Sequence, residues 1–255
     1  MTGRVPEELA GELSKPDGLA VAVSGGLDSE VLLRAAREVR GRHGVLALTA
    51  DSPLLADHYR RVIRSLVGGL GVPHRFVRWD PMAVPGVRAN GPRRCYHCKR
   101  TIYTVLAEAA RQEGIEVLAD GTNTGDLGGN RPGMRAAEEL GVRRPFLDAG
   151  MGRADVERLG RALGMTGRPR PDDSCLATRI PEGTPLLRRE LALVEELEAP
   201  LRPIVRERLR VYLEGTRAVV HYRKADSTAI SRLKETVKDR ARGEGIRRVI
   251  FVMED

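Results

Sequence analysis

Cysteine is scarce in this sequence: 255 residues hold three, at positions 95, 98 and 175. So small an odd number excludes the disulfide framework of a compact secreted domain, and the thiols are expected to be reduced, metal-bound or catalytic in a cytoplasmic protein. Aromatic residues make up only 4%, which leaves a stacking platform for single-stranded nucleic acid poorly supplied. No apolar run is long enough to cross a membrane, and none near the N-terminus reads as a signal peptide. Positive charge, in contrast, is plentiful. The formal net charge is +8, and Leu201 to Asp255 alone carries 14 Lys/Arg against 8 Asp/Glu. That basic C-terminal part suits an anion, either RNA or the phosphate of a small substrate; an Arg-rich solvated surface is the plain alternative.

The length suits one ordinary domain plus a smaller one. "LAVAVS", "GVLALTA", "PHRFVRW" and "IEVLAD" read as apolar strands, with a further short strand near "RPFLDA". Between and after them, "SEVLLRAAREVR", "DHYRRVIRSLVGGL", "YHCKRTIYTVLAEAARQ", "PGMRAAEELG" and "ADVERLGRALG" have helical periodicity. Strands alternating with helices predict an α/β fold, a parallel sheet with helices on both faces. Right-handed crossovers then put the loops after the strands along one edge. From Met165 to Pro185 the pattern gives way to a segment rich in proline. Beyond it, "RRELALVEELE", "RLRVYL", "RAVVHY", "DSTAISRLKETVKDRAR" and "RRVIFVM" make a small α+β domain. The expected division is 1–168, a connecting segment 169–187 carrying Cys175, and 188–255.

"LAVAVSGGLDSEVLL" carries the strongest local signal. An apolar strand runs into Ser24, Gly25, Gly26, Leu27, Asp28 and Ser29, and a helix follows at once. Glycines allow a sharp turn and close approach to a ligand, and a helix N-terminus offers N–H groups and a positive dipole end to an anion. Capping of the helix by Asp28 or Ser29 is the alternative role. The string is neither Walker A, which needs Lys after its glycine, nor GxGxxG. It resembles the PP-loop of the ATP pyrophosphatase superfamily. That resemblance implies ATP held by its β,γ-phosphates, Mg²⁺ with Asp28 contributing to its site, and release of pyrophosphate. Thr49, Ala50, Asp51 and Ser52 end the second strand, placed to meet adenosine. Gly121, Thr122, Asn123 and Asp126 follow the fourth in a Gly-rich turn. Each group alone is compatible with simple turn chemistry.

Cys95 and Cys98 stand at i and i+3 near the start of a helix and share one face. CxxC serves zinc, redox disulfides and iron–sulfur clusters alike. A redox pair leaves Cys175 unexplained; structural zinc needs a fourth ligand, for which His97 or His74 is available. Three thiolates on a [4Fe–4S] cluster leave one iron open to sulfide. An accidental spacing of two half-buried thiols is the remaining reading.

"SGGLDS", "TADSP", "RCYHCK", "DGTNTGDLGGNRPG" and "SCLATRIPEGTP" occur in the order found in LarE-type sulfur transferases, and the chain is similar to that family from residue 15 to residue 187. These enzymes belong to the nickel-pincer cofactor pathway. The resemblance implies adenylation of a carboxylate of a nicotinate-derived mononucleotide, pyridinium-3,5-dicarboxylate mononucleotide or a related molecule, and its conversion to a thiocarboxylate. In some members one cysteine at the position of Cys175 gives up its own sulfur. In others, three at the positions of Cys95, Cys98 and Cys175 hold a [4Fe–4S] cluster that carries it, and this chain has all three. The implied partners are a small phosphorylated carboxylate substrate, a sulfide donor and further copies of the chain. Arg179, Arg208 and Arg210 would hold the substrate phosphate, since guanidinium forks match its geometry. The C-terminal part departs from the family pattern: "LRVYLEGTRAVVHY" keeps Arg210 but has Tyr212 and His221 where the family has an arginine and a glutamate. The rivals are a tRNA thiolation enzyme of the same superfamily, favoured by the basic C-terminal part, and a non-catalytic zinc-stabilised nucleotide sensor or RNA-binding protein.

Overall fold

The computed structural model describes residues 4–128, 132–166, 175–205 and 208–255. Positions 129–131 of the third loop and 167–174 of the connecting segment lie outside them. The chain runs α1 (Glu7–Ser14), β1 (Leu19–Ala22), α2 (Leu27–Arg40), β2 (Val45–Asp51), α3 (Asp57–Leu70), β3 (His74–Arg78), α4 (Pro85–Arg88) and α5 (Arg94–Arg111). It continues through β4 (Leu118–Ala119), α6 (Pro132–Glu139), α7 (Pro145–Asp148), α8 (Arg153–Ala162), α9 (Arg188–Glu198), β5 (Leu209–Glu214), β6 (Arg217–Arg223), α10 (Ser227–Gly243) and β7 (Arg248–Glu254). Two compact units result: Met1–Ser52, His58–Trp79 and Cys95–Pro169 form one, and Pro53–Asp57, Asp80–Arg94 and Arg170–Asp255 the other.

In the first unit the sheet order is β3-β2-β1-β4, with every pairing parallel. Continuous apolar runs such as "LAVA" suit strands covered on both faces. Ala20, Leu46, Leu48 and Leu118 pack with Tyr103, Leu106, Ala109 and Ala110 of α5 and Ala137 of α6. The alternate residues Leu19, Val21, Val45 and Ala47 are also buried, and α2 packs on β1 and β2. Helix α3 buries Tyr59, Ile63, Leu66 and Val67, the stripe its periodicity predicts. Burying each such side chain contributes about 1.5–3 kcal/mol before entropy is counted. One expectation fails. "RPFLDA" forms no strand: Arg143 makes a single parallel bridge to Ala119, and Pro145 then opens the helical turn α7. Proline lacks the N–H a ladder requires and suits the first helical position.

The second unit holds a three-stranded sheet in the order β5-β6-β7, antiparallel between β5 and β6 and parallel between β6 and β7. Gly215, with φ 62°, takes the left-handed position in the two-residue loop of the β5–β6 hairpin. Leu209, Val211, Leu213, Ala218, Val220 and Tyr222 are buried on one face of that hairpin, and α9 and α10 pack on the sheet. Arg210, Tyr212 and His221 therefore share the opposite face, with Arg210 directly across from His221.

Candidate active site

The strand order places the loops. From β1 the chain moves outward to β2 and β3, then returns to the other side of β1 as β4. The order thus reverses between β1 and β4, where ligands of open parallel sheets bind beyond the strand ends. Ser24–Ser29 follows β1 and Gly121–Asp126 follows β4. The two loops touch: a Cβ built on Gly121 would lie 2.7 Å from the Asp28 carbonyl carbon and 2.9 Å from Ser29 N.

Hydrogen bonds within the first loop fix its shape. Ser29 Oγ donates to Gly26 O (3.0 Å) and accepts from Ser24 N (3.2 Å), while Gly26 N donates to Ser24 Oγ (3.4 Å). Gly25 has φ 84° and lies against Tyr59, so both its backbone and its surroundings exclude a side chain. Gly26 gives α2 no side-chain cap. Asp28, in the first turn of α2, accepts from the Arg153 guanidinium at 3.0 Å. Its oxygens are of the hard type Mg²⁺ prefers, and Arg153 competes for them.

The other nucleotide candidates are held by the framework. Buried Thr49 Oγ1 donates to Val23 O (3.0 Å), tying the ends of β1 and β2. Arg60 donates to Asp51 Oδ1 (2.8 Å) and Ser52 O (2.7 Å), and the Ala50 side chain packs against the core. Asn123 and Asp126 make a reciprocal cap: Gly125 N donates to Asn123 Oδ1 (2.9 Å) and Asn123 N to Asp126 Oδ2 (3.0 Å). Thr122 N donates to Asp120 Oδ1 at 2.9 Å. The structure thus gathers these three sets along one edge of the parallel sheet.

His74 sits beside Thr49, with Nε2 3.0 Å from Oγ1. Thr49 spends its proton on Val23, so a neutral His74 donates here. Burial, followed by the charge of Arg64, pushes its pKa down to about 4. The unfolded chain therefore takes up a proton near pH 6.5 that the folded chain refuses until about pH 4. This contribution to stability is complete above pH 6.5 and is lost as pH falls toward 4. It is on the order of 2 kcal/mol, and His74→Gln should flatten the melting temperature between pH 7 and pH 4.

Cys95 and Cys98 lie in the first turns of α5, and none of the three cysteines is in a disulfide. One residue on, Lys99 Nζ donates to Tyr103 OH (2.9 Å), and Tyr103 donates to the buried Asp120. Lys99 is exposed as a residue, and its ammonium is turned onto the Tyr103 hydroxyl. Burial opposes the charge, but Tyr103 and Asp120 outweigh it and raise the pKa above the usual lysine value. Tyr103 is pushed up to about 12 by burial and Asp120, against Lys99, and stays neutral.

In the second unit, Cys175 precedes the 3-10 turn Leu176–Arg179. Arg179 is fully buried, with its Nε donating to Glu198 Oε1 at 3.1 Å. In this arrangement it braces the turn. Arg208 and Arg210 are half-buried. Beside Arg210, Tyr212 and His221 stack edge to face at 5.0 Å, and His221 Nδ1 lies 2.9 Å from Glu254. By donor type, three thiols suit a [4Fe–4S] cluster. Among the described residues, however, no group of three or more His, Cys, Asp or Glu is gathered as a metal site. Sequence reasoning missed Arg153, Glu198 and the link through Tyr103 that joins Lys99 to Asp120. Only their final packing distinguishes them from other charged residues; Lys99 and Tyr103 at i and i+4 were the one local signal.

An SGGxDS loop at the reversal in strand order of a parallel, helix-covered sheet defines the PP-loop class of ATP pyrophosphatases. No family model matches the chain. It is 31% identical over 186 residues to the pyridinium-3,5-bisthiocarboxylic acid mononucleotide synthase of Lactiplantibacillus plantarum, covering 73% of this chain and 67% of that one. An uncharacterized protein of Synechocystis sp. is 32% identical over 198 residues, 78% of this chain and 74% of its own. The tRNA(Ile)-lysidine synthase of a Methylobacterium species is 30% identical over 152 residues, 51% and 42% of the two chains. The chain belongs to the LarE-type family of PP-loop sulfur transferases. Among the described residues, no helix is long and apolar enough to cross a membrane.

Proposed function

We propose that this protein adenylates a carboxylate of a small phosphorylated substrate, pyridinium-3,5-dicarboxylate mononucleotide or a close relative, and converts it to a thiocarboxylate. The observation carrying this reading is the seat of Gly121 against Asp28 and Ser29, which joins two sequence-distant loops at the switch point. ATP would lie with its pyrophosphate over Ser24–Ser29, facing the first-turn N–H groups of α2. A substrate carboxylate oxygen attacks the α-phosphorus as its bond to pyrophosphate breaks, giving acyl-adenylate and pyrophosphate. A sulfur nucleophile then attacks the acyl carbon and AMP leaves with the electron pair of the broken C–O bond. Asp28 would contribute to holding Mg²⁺, which when bound neutralises charge on the departing pyrophosphate. Arg210 and Arg208 would hold the substrate phosphate, and Cys95, Cys98 and Cys175 would act as the sulfur-handling set, with a [4Fe–4S] cluster as the carrier.

With ATP and substrate, the expected products are AMP and pyrophosphate, and Asp28→Ala should lower their formation at least tenfold. ADP and phosphate as products would sink the reading. The basic C-terminal residues keep tRNA as the alternative acceptor, and a stoichiometric thionucleoside after incubation with tRNA would replace the small substrate.

A further inference from the structure

We propose that the buried Arg179–Glu198 pair is a positioning device that holds the Cys175 turn in register with the strand carrying Arg210. Weakening its Arg179 side, with the bond to the strand kept, would thereby slow sulfur delivery without slowing adenylation; the proposal rests on the sulfur-transfer reading above. The Cys175 carbonyl accepts from Thr178 N (3.0 Å) and Thr178 Oγ1 (2.8 Å). That hydroxyl accepts in turn from the Arg179 guanidinium at 2.7 Å. Arg179 Nε donates to Glu198 Oε1 (3.1 Å), and the same oxygen accepts from Val211 N at 3.0 Å. An unbroken string therefore runs from the backbone of Cys175 to the residue after Arg210. The two charged side chains are 0% and 3% exposed, so water cannot stand in for either. β5 is an edge strand, and Glu198 takes its Val211 N–H while Arg202, also paired with Glu198, donates to Leu209 O (3.0 Å). The carboxylate thus fixes the turn and the strand together. The residues of this string, Cys175, Thr178, Arg179, Glu198 and Val211, all lie outside the nucleotide loops.

Glu198→Gln and Thr178→Val separate positioning from folding. The first retains an oxygen for Val211 N and removes the charge. The second removes the hydroxyl that links Arg179 to the Cys175 carbonyl and leaves the Glu198 bonds to Val211 and Arg202 in place. AMP formation, thiocarboxylate formation and hydrogen exchange at the Leu176–Ile180 amides are measured on the full-length protein. For Glu198→Gln we expect AMP formation within twofold of wild type, thiocarboxylate at least tenfold slower, and exchange faster at those amides than elsewhere. If that variant does not fold, Thr178→Val is expected to show the same split. Wild-type transfer by either folded variant, or equal loss of AMP and thiocarboxylate, overturns the device. A wild-type protein forming AMP without thiocarboxylate instead removes the reading on which it rests.

Discussion

Gly121→Ala is expected to lower AMP formation at least a hundredfold while the protein still folds. The new methyl group would lie 2.7 Å from Asp28 C, 2.9 Å from Asp28 O and 2.9 Å from Ser29 N. All three are backbone atoms in the first turn of α2, and no rotamer change relieves the clash. Either the β4 loop or the start of α2 must move by several tenths of an ångström. Overpacking of this kind costs about 1–3 kcal/mol of stability, within what a domain of this size tolerates. Catalysis is less forgiving, because a pyrophosphate displaced from its N–H donors loses the alignment on which in-line attack depends. Gly128→Ala, in the same loop with nothing within 4 Å of its would-be Cβ, should be silent. Pyrophosphate release and melting curves on both variants decide the matter, and wild-type turnover by Gly121→Ala would refute the placement of this loop in the nucleotide site.

The sequence was a good guide wherever a short-range pattern decides the structure. The 3.6-residue stripe of α3 and the apolar runs of β1 and β2 are set by burial of nearby residues, and both formed as expected. The Ser24–Ser29 turn was legible for a similar reason, since glycine, serine and a helix start lie within six residues. β4 was harder. Its apolar run reads as six residues, yet only Leu118 and Ala119 pair, in register with Ala20 and Val21. Side-chain partners at long range were not legible at all. Arg153 is 125 positions from Asp28, and nothing about either residue type specifies the other. Arg179 shows the same limit from the opposite side. It was expected to hold a substrate phosphate, and nothing in the sequence marked Glu198 as the partner that makes its complete burial possible.

The largest effect of all is expected at the cysteines, and its pattern identifies the sulfur source. Cys95 and Cys98 occupy one face of the first turns of α5, while Cys175 leads a short turn braced by Arg179. If the three thiols serve as ligands of one [4Fe–4S] cluster, replacing any one with alanine should remove iron, acid-labile sulfide and thiocarboxylate formation together. Nucleotide cleavage should survive in each variant, because the Ser24–Ser29 loop holds itself by its own hydrogen bonds. If instead Cys175 gives up its own sulfur, only Cys175→Ala should abolish transfer. The wild-type chain would then lose the mass of that sulfur after a single turnover, with the Cβ–Sγ bond broken and the sulfur carried off in the thiocarboxylate. Anaerobic purification, iron and sulfide analysis, and intact mass before and after reaction separate the two patterns. We expect iron to be present and all three variants to be inactive in transfer; a transfer-competent Cys95→Ala/Cys98→Ala variant would leave Cys175 as the donor.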